Sequence, residues 1–424
     1  MYALFLGEAT RVEPMTIEYR QITDAEQRQF WKVVARGFGG HYTAGQENYR
    51  IDRELLPPAT TMCAIEEREI VGTSASFPFE SAVPGGAIVK NAGVTAVTVA
   101  TTHRRQGLLN NMMLRLLRQE REKDQPVASL WASESIIYSR YGFGISIQHE
   151  NFLIDTRKAA IKRSPEIPGK IRFISGDEAR KVLPAAWEAA VQANVGIPRK
   201  NAAAWDHYML DVNSGSGDWG KPWLIVYEED GKALGYAKYL LKEAHVFGEK
   251  THGMINADHV IHSNAASHAA LWNHLLNVDL YDSLSTWCSP SDDSLPWMLD
   301  DPRQLQRKPY DGVWYRLLDV AEALAARTYL AEGSLVLEVE DSLVPEWGGR
   351  FELDGGSGGA TCVATTKPAD VTLPTASLAT IYLGGAKLAD LHRAGRVEEN
   401  TAGSVALADA MFTTVRAPWC PMMF

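Results

Sequence analysis

The stretch Gly93–Asn110 reads GVTAVTVATTHRRQGLLN and gathers the groups best suited to hold an anion. A run rich in β-branched residues ends at Val99. A short bridge, Ala100–His103, leads to Arg104-Arg105-Gln106-Gly107, and the leucine-rich segment that follows has no proline before Lys123. The first N–H groups of a helix lack partners inside it, and the helix dipole favours negative charge there. Gly107 puts no Cβ between the backbone and a pyrophosphate. Arg104 and Arg105 can add charge-assisted hydrogen bonds. The pattern is not Walker A, since no Gly-Lys-Ser/Thr follows, and it is not GxGxxG. The spacing alone leaves two readings open: a diphosphate site, or an ordinary strand–helix junction whose arginines solvate a helix start.

Three further groups could do chemistry. Ala132–Gly144, ASESIIYSRYGFG, holds Tyr138 and Tyr141. A phenol with an ordinary pKa near 10 is a proton donor at neutral pH, although most such tyrosines are core aromatics with a wet hydroxyl. The tail Ala417–Phe424, APWCPMMF, is too apolar to lie in solvent, so it is expected to dock and to carry the Phe424 carboxylate with it. A partly buried carboxylate of raised pKa is a general base; docking for packing or oligomerisation alone is the alternative. Phe30, Trp31, Phe38, His41 and Tyr42 cluster near the first helix and could wall an amine pocket or belong to the core. His103 fits a place at the helix start at least as well as a role as base. His252, His259 and His262 have no convincing metal-ligand spacing.

The elements that must position these groups fall into three blocks. The first has a strand Thr16–Arg20 and a helix through Phe30, Trp31, Val34 and Ala35. A hairpin of Met62–Glu66 and Glu69–Phe77 follows, then the strand Gly93–Val99, the helix Gly107–Lys123 and the strand Val127–Ala132. The second block begins after the basic stretch Arg157–Gly169 and repeats that order. It has a strand Arg172–Ser175, a helix Gly176–Ala193, a hairpin Leu224–Glu228 with Ala233–Leu241, a strand Gly253–His262 and a helix Asn264–Asn277. This reads as a diverged internal copy. Its strand–helix junction, Asp258–Asn264, has no Arg-x-x-Gly turn and is expected to bind no coenzyme. The third block starts near Tyr310. It has strands Gly333–Glu340, Gly349–Leu353 and Ala360–Thr365, with helices expected at Asp319–Thr328, Leu373–Ile381 and Ala386–Ala394.

Composition bounds the function. With 424 residues, 46% apolar and 22% charged, the chain suits two or three globular domains. A formal charge of −10 disfavours nucleic acid and favours cationic substrates. Cys63, Cys288, Cys362 and Cys420 are scattered, read as free thiols, and form no zinc spacing. No apolar run approaches the roughly 20 residues of a membrane span. The first 14 residues read as a loose extension without a signal peptide, and the expected location is the cytoplasm.

Val97-x-Val99 followed by Arg104-Arg105-x-Gly107 resembles the acetyl-CoA motif of the GNAT acetyltransferases, Gln/Arg-x-x-Gly-x-Gly/Ala. Arg104 and Gly107 match, and Leu109 stands where a small residue is usual. THRRQGLL, ASESIIYSRYGFG and the three-block length are similar to one subfamily, the Eis-type (enhanced intracellular survival) enzymes. The resemblance spans the chain in architecture and is sharpest over 93–144 and at the C-terminus. It implies an α/β (α+β) protein of tandem GNAT folds: a catalytic domain over 1–156, a degenerate GNAT-like domain over 157–309, and a sterol-carrier-like α+β domain over 310–424. It implies that Val97, Thr98 and Val99 pair with the pantetheine arm, and that Arg105, Gln106, Gly107, Leu108, Leu109 and Asn110 wrap the pyrophosphate. Ser133 and Glu134 would line the thioester end, Tyr138 would be the general acid with Tyr141 packing, and the Phe424 carboxylate the general base. The implied reaction is direct transfer from acetyl-CoA, as co-substrate and without a metal, to a small cationic amine such as an aminoglycoside or polyamine. The implied assembly is a homo-hexamer. The rivals are a protein-lysine acetyltransferase and a non-catalytic acyl-CoA or lipid-binding module.

Overall fold

A computed structural model describes residues 16–42, 46–213, 217–243 and 253–424. The N-terminal 14 residues and His252 lie outside the described residues. The first part runs β1 (Glu18–Arg20), α1 (Gln27–Gly37), α2 (Gln46–Leu55), β2 (Cys63–Glu66), β3 (Glu69–Ala82), β4 (Ile88–Val99), α3 (Leu108–Glu122), β5 (Val127–Trp131), α4 (Ser135–Tyr138) and β6 (Gly144–Ile145). The second runs β7 (Gln148–Asp155), β8 (Lys170–Phe173), α5 (Gly176–Ala193), α6 (Ala202–Asn213), β9 (Trp223–Glu229), β10 (Lys232–Lys242), β11 (Gly253–His262), α7 (Ala265–Leu276), β12 (Tyr281–Pro290), α8 (Leu295–Met298), β13 (Leu305–Asp311) and β14 (Val313–Leu317). The third runs α9 (Val320–Ala325), β15 (Gly333–Glu340), β16 (Gly349–Gly356), β17 (Gly359–Ala364), β18 (Val371–Pro374), α10 (Thr375–Tyr382), α11 (Leu388–Arg393), β19 (Glu398–Glu399) and α12 (Ser404–Phe412).

The two seven-stranded sheets have matching logic. The first is ordered β1-β2-β3-β4-β5-β14-β6 and the second β13-β7-β12-β11-β10-β9-β8. In each, four antiparallel strands are followed by one parallel pair, β4 with β5 and β11 with β12. The strand beside β5 is β14, the last strand of the second part, whereas the strand beside β12 is β7, the first strand of the same part. The second part thus gives one strand to the first sheet, and Gly312 between β13 and β14 is where the chain crosses back. Sheet membership therefore changes between Ile145 and Gln148 and again between Asp311 and Val313. The third part has one sheet, β17-β16-β15-β18-β19, packed through Leu335, Leu337, Leu378, Tyr382, Met411 and Phe412. The mixed α/β architecture is that of tandem GNAT folds with an added α+β domain, as expected.

Local chemistry explains the elements. Thr23 and Glu26 form a capping box at the entrance to α1. In α3, Leu108, Met112, Met113, Leu116 and Leu117 are buried on one stripe against the first sheet. Each such side chain contributes about 1.5–3 kcal/mol. Three expectations shift. Leu373–Ile381 is not helical from its start, because Val371–Pro374 pairs with β15 and the helix begins after Pro374. Helices α2 and α6 were not expected from the sequence. The strands at 305–317, assigned to no element by periodicity, close both sheets.

An ion pair between buried groups ties the first sheet to the third part. Arg316 on β14 donates to Asp341 at 2.6 Å and to the Tyr141 carbonyl, while the other Asp341 oxygen accepts from the N–H groups of Leu343 and Val344 at 3.0 and 2.9 Å. Asp341→Asn leaves a guanidinium desolvated without its counter-charge, at a cost of about 3–5 kcal/mol. Urea unfolding should show a markedly lower first midpoint; a midpoint equal to the parent's would refute the coupling.

Candidate active site

The site begins at a bulge in β4. Thr73 of β3 faces Thr98, and Ala75 faces Thr95, so β4 carries one residue more than its partner. Ala96 absorbs the surplus with φ of 53°. Thr73 Oγ1 donates to the Ala96 carbonyl at 2.7 Å and lies 2.9 Å from Thr98 Oγ1, which pins the bulge. On its other edge β4 pairs with β5 only from Asn91–Val127 to Val94–Leu130. The strands then part. Thr95–Val99 offer backbone groups to the gap.

The gap opens into a cleft of about 570 Å³ lined by Val97, Thr98, Val99, Arg104, Arg105, Gly107, Leu108, Leu109, Asn110, Ser133, Glu134 and Tyr138. Ten of the eleven residues assigned to the coenzyme by resemblance lie on this wall. The other, Gln106, is exposed beside it, and its amide donates to the Thr102 carbonyl at 3.5 Å. The turn is wound left-handed at Arg105 (φ 64°) and Gly107 (φ 81°). Glycine takes that conformation freely. No side chain caps α3, so its first N–H groups point at the cleft without a protein acceptor among the described residues. Arg104 and Arg105 are exposed, and neither has a carboxylate partner among the described residues. His103 is tied down instead: its ring bonds Glu66 Oε2 at 2.9 Å and Thr102 Oγ1 at 2.7 Å.

Tyr138 ends α4 with its ring edge-on to Phe143 at 6.3 Å. Burial raises its phenol pKa, with the Ser133 hydroxyl opposing the rise and the Glu134 charge adding to it. Tyr141 is more deeply packed, and its carbonyl is held by Arg316.

A second cavity, of about 440 Å³, lies between the first two parts and meets the cleft at Phe38 and the β4 bulge. Its walls include Trp31, Phe38, Phe77, Phe79, Thr95 and Ala96 from the first part, and Tyr208, Asp211, Lys238, Asp258 and Trp287 from the second. Met422, Met423 and Phe424 complete it. The tail is docked, as expected. Trp419 N–H donates to the Val195 carbonyl at 2.8 Å, Trp131 Nε1 donates to the Met422 carbonyl at 2.9 Å, and Phe424 packs edge-on against Phe79 at 4.9 Å. Phe79 in turn lies over Gly93, where an added Cβ would come within 2.4 Å of its ring. Of the aromatic cluster, Trp31 and Phe38 line this cavity, Tyr42 donates to Asp52 at 2.6 Å behind Trp31, Phe30 is core, and His41 is exposed away from it.

The cavity holds further ionisable groups, of which only His259 is singled out by the sequence. Lys238 is buried between Asp211 and Asp258. Lys200 lies against the rings of Trp187, Tyr208 and Trp205 at 3.6, 4.5 and 4.8 Å, and burial, aided by the Lys238 charge, lowers its pKa to about 7. Burial likewise takes His259 down to about 3. Asp211 comes from α6, Lys238 from β10, Asp258 and His259 from β11, and Lys200 from the segment just before α6; all are remote in sequence from the Arg-Gly turn, and only the packing of the two sheets brings them together.

The second sheet has the same parting but a different occupant. Parallel pairing of β11 with β12 stops at Ala257–Thr286. Beyond it Trp419 enters, donating its indole N–H to the Cys288 carbonyl at 2.6 Å and stacking on His262 at 5.2 Å. The following helix, α7, is capped from within: Asn264 accepts from the Ser267 N–H at 2.8 Å, and Ser267 Oγ accepts from the Asn264 N–H at 3.2 Å. The Asn264 and Ser267 amides are thereby already used.

Comparisons with known proteins agree with this geometry. Acetyltransferase (GNAT) domain models match residues 18–146 and 196–317, and a sterol carrier protein domain model matches 320–421. An uncharacterized N-acetyltransferase of Streptomyces griseus is 36% identical over 420 residues, covering 97% of this chain and 100% of the relative. N-acetyltransferase Eis of Mycobacterium tuberculosis is 30% identical over 357 residues, covering 82% of this chain and 84% of the relative. The crystal structure of Eis1 from Mycobacterium abscessus superimposes with a TM-score of 0.85 at 30% identity, over 96% of this chain and 100% of that one.

Arg105→Glu reverses the charge at the mouth of the turn. Titration calorimetry should show acetyl-CoA affinity at least about tenfold weaker, equivalent to about 1.4 kcal/mol. Unaltered affinity would count against the anion site.

Proposed function

We propose an acceptor and a mechanism for a chain that belongs to the Eis-type GNAT acetyltransferases and moves acetyl groups from acetyl-CoA to amines. The catalytic centre lies in the first GNAT domain. The acceptor is a small cationic amine such as an aminoglycoside or polyamine, and transfer is direct. What carries this reading is that the cleft beside Tyr138 and the cavity containing Phe424 meet at Phe38 and β4. The coenzyme enters by one and the amine by the other.

In the first, Val97–Val99 hold the pantetheine arm as an added strand, while Arg105–Asn110 take the diphosphate and Ser133 and Glu134 flank the thioester. In the second, the amine sits among aromatic rings, with Asp52, Asp211, Asp258 and the terminal carboxylate supplying negative charge. The Phe424 carboxylate takes the ammonium proton. The freed amine attacks the thioester carbonyl, its C–N bond forms, and backbone N–H groups on the open edge of β4 stabilise the oxyanion. As the C–S bond breaks, Tyr138 gives its proton to the sulfur. A raised phenol pKa keeps Tyr138 protonated beyond its ordinary value, so it remains an acid at every pH near neutrality. The rate should therefore climb with pH as the amine loses its proton, with no alkaline fall from Tyr138 below about pH 10. A homo-hexamer and a cytoplasmic location accompany this proposal on the strength of the family resemblance.

Tyr138→Phe should lower kcat about 10²–10³-fold, with acetyl-CoA affinity kept. Extending the chain by two residues past Phe424 should do the same. The readout is thiol release over a panel of an aminoglycoside, a polyamine and a lysine peptide. Parent rates in both variants would reject the acid–base assignment, and a clear preference for the peptide would reject the small-amine acceptor.

A further inference from the structure

His262 ends β11 beneath the docked tail, and its imidazole is 3% exposed. Trp419 covers one face of it, and the His268 ring meets it edge-on at 4.6 Å. Beside it is a void of about 10 Å³, bounded by His262, Asp293 and Trp419. That is about the room one water or one ion needs.

Two more ligand types face the same point. His268 Nε2 and Asp293 Oδ1 are 2.9 Å apart, and the ligand atoms of His262, His268 and Asp293 all lie within 4.8 Å of one another. Around a tetrahedral ion with bonds of 2.0–2.1 Å, ligand atoms stand roughly 3.3 Å apart. The closest pair, at 2.9 Å, already falls near that, and the others come into range on closing by at most about 1.5 Å. The three are buried, come from β11, α7 and the loop before α8, and stand where the second sheet parts.

We propose that His262, His268 and Asp293 form a site for one divalent transition-metal ion of the zinc type, with a water in the void as fourth ligand. Two imidazoles and one carboxylate suit zinc or cobalt and do not suit magnesium or calcium, which take oxygen sets. On binding, the proton that His268 shares with Asp293 leaves to solvent, and the nitrogen lone pair turns to the metal. The ion would sit in the parting that in the first sheet faces the coenzyme. It would lock His262 under Trp419 and fix the Asp293 loop, whose neighbour Asp292 accepts from the Ala417 N–H at 2.8 Å. Its place is structural, beneath the tail, and it takes no part in acetyl transfer.

The test uses the full chain, stripped with a chelator and then titrated with Co²⁺ and Zn²⁺. One equivalent of Co²⁺ should bind with the visible absorption of a four-coordinate ion and be displaced by Zn²⁺. Zn²⁺ should raise the thermal midpoint of the stripped protein. His262→Gln and Asp293→Asn should each weaken Co²⁺ binding more than tenfold. Should a variant fail to fold, the stoichiometry and spectrum of the parent protein still decide. A parent that binds no ion, or an ion whose spectrum and affinity survive both substitutions, would overturn the proposal and leave the void to a buried water.

Discussion

One surplus residue in β4 is the constraint on which the rest depends. An even β3–β4 ladder would let β4 follow β5 to its end, and the sheet would stay closed. With Ala96 inserted and its carbonyl held by Thr73, β4 bends away after Val94. The edge so exposed has the spacing of a strand waiting for a partner. Everything nearby serves that edge. The leucine stripe of α3 seats the helix on the sheet, so that its uncapped start and the Arg-Gly turn sit at the mouth of the gap. Short α4 brings Tyr138 to its inner end.

The second sheet shows what that arrangement becomes without the turn. The same parting is present, but Trp419 fills it, and the capping box at the start of α7 takes up the Asn264 and Ser267 amides. A tail that closes one domain's gap thereby reaches the cavity between the first two domains, which Phe424 lines five residues later. The strand β14 belongs to the sheet of the opposite half, so the chain passes between the two sheets twice, after Ile145 and at Gly312, and two connections span the cavity between the halves. The Arg316–Asp341 pair extends the coupling to the third domain.

How much of this the residues announced depends on whether the signal was local. The β-branched run, Arg104–Gly107 and the α3 stripe are contiguous, and the strand, turn and helix appear where periodicity and glycine put them. The docked tail was legible because eight apolar residues at a chain end have few alternatives. The bulge was not, since nothing in GVTAVTV distinguishes an even strand from one with an extra residue. Pro374 could have marked the start of α10, because proline favours the residues just before or inside a helix start. The strands at 305–317 were hidden because their partners lie more than 150 residues away. Lys200, Lys238, Asp211 and Asp258 were silent for the same reason, as was the meeting of His262 with His268 and Asp293: each is an ordinary residue in its own element and becomes notable only when two elements face each other.

The claim most worth testing is that the coenzyme occupies the parting of the first sheet and not that of the second. Amide hydrogen exchange, followed with and without acetyl-CoA, reads this directly. The account predicts slowed exchange at Val97–Val99 and at Leu108–Asn110, with Val260–His262 and Ala265–Ser267 unchanged. Protection confined to the second sheet, or none at β4 under saturating coenzyme, would contradict it.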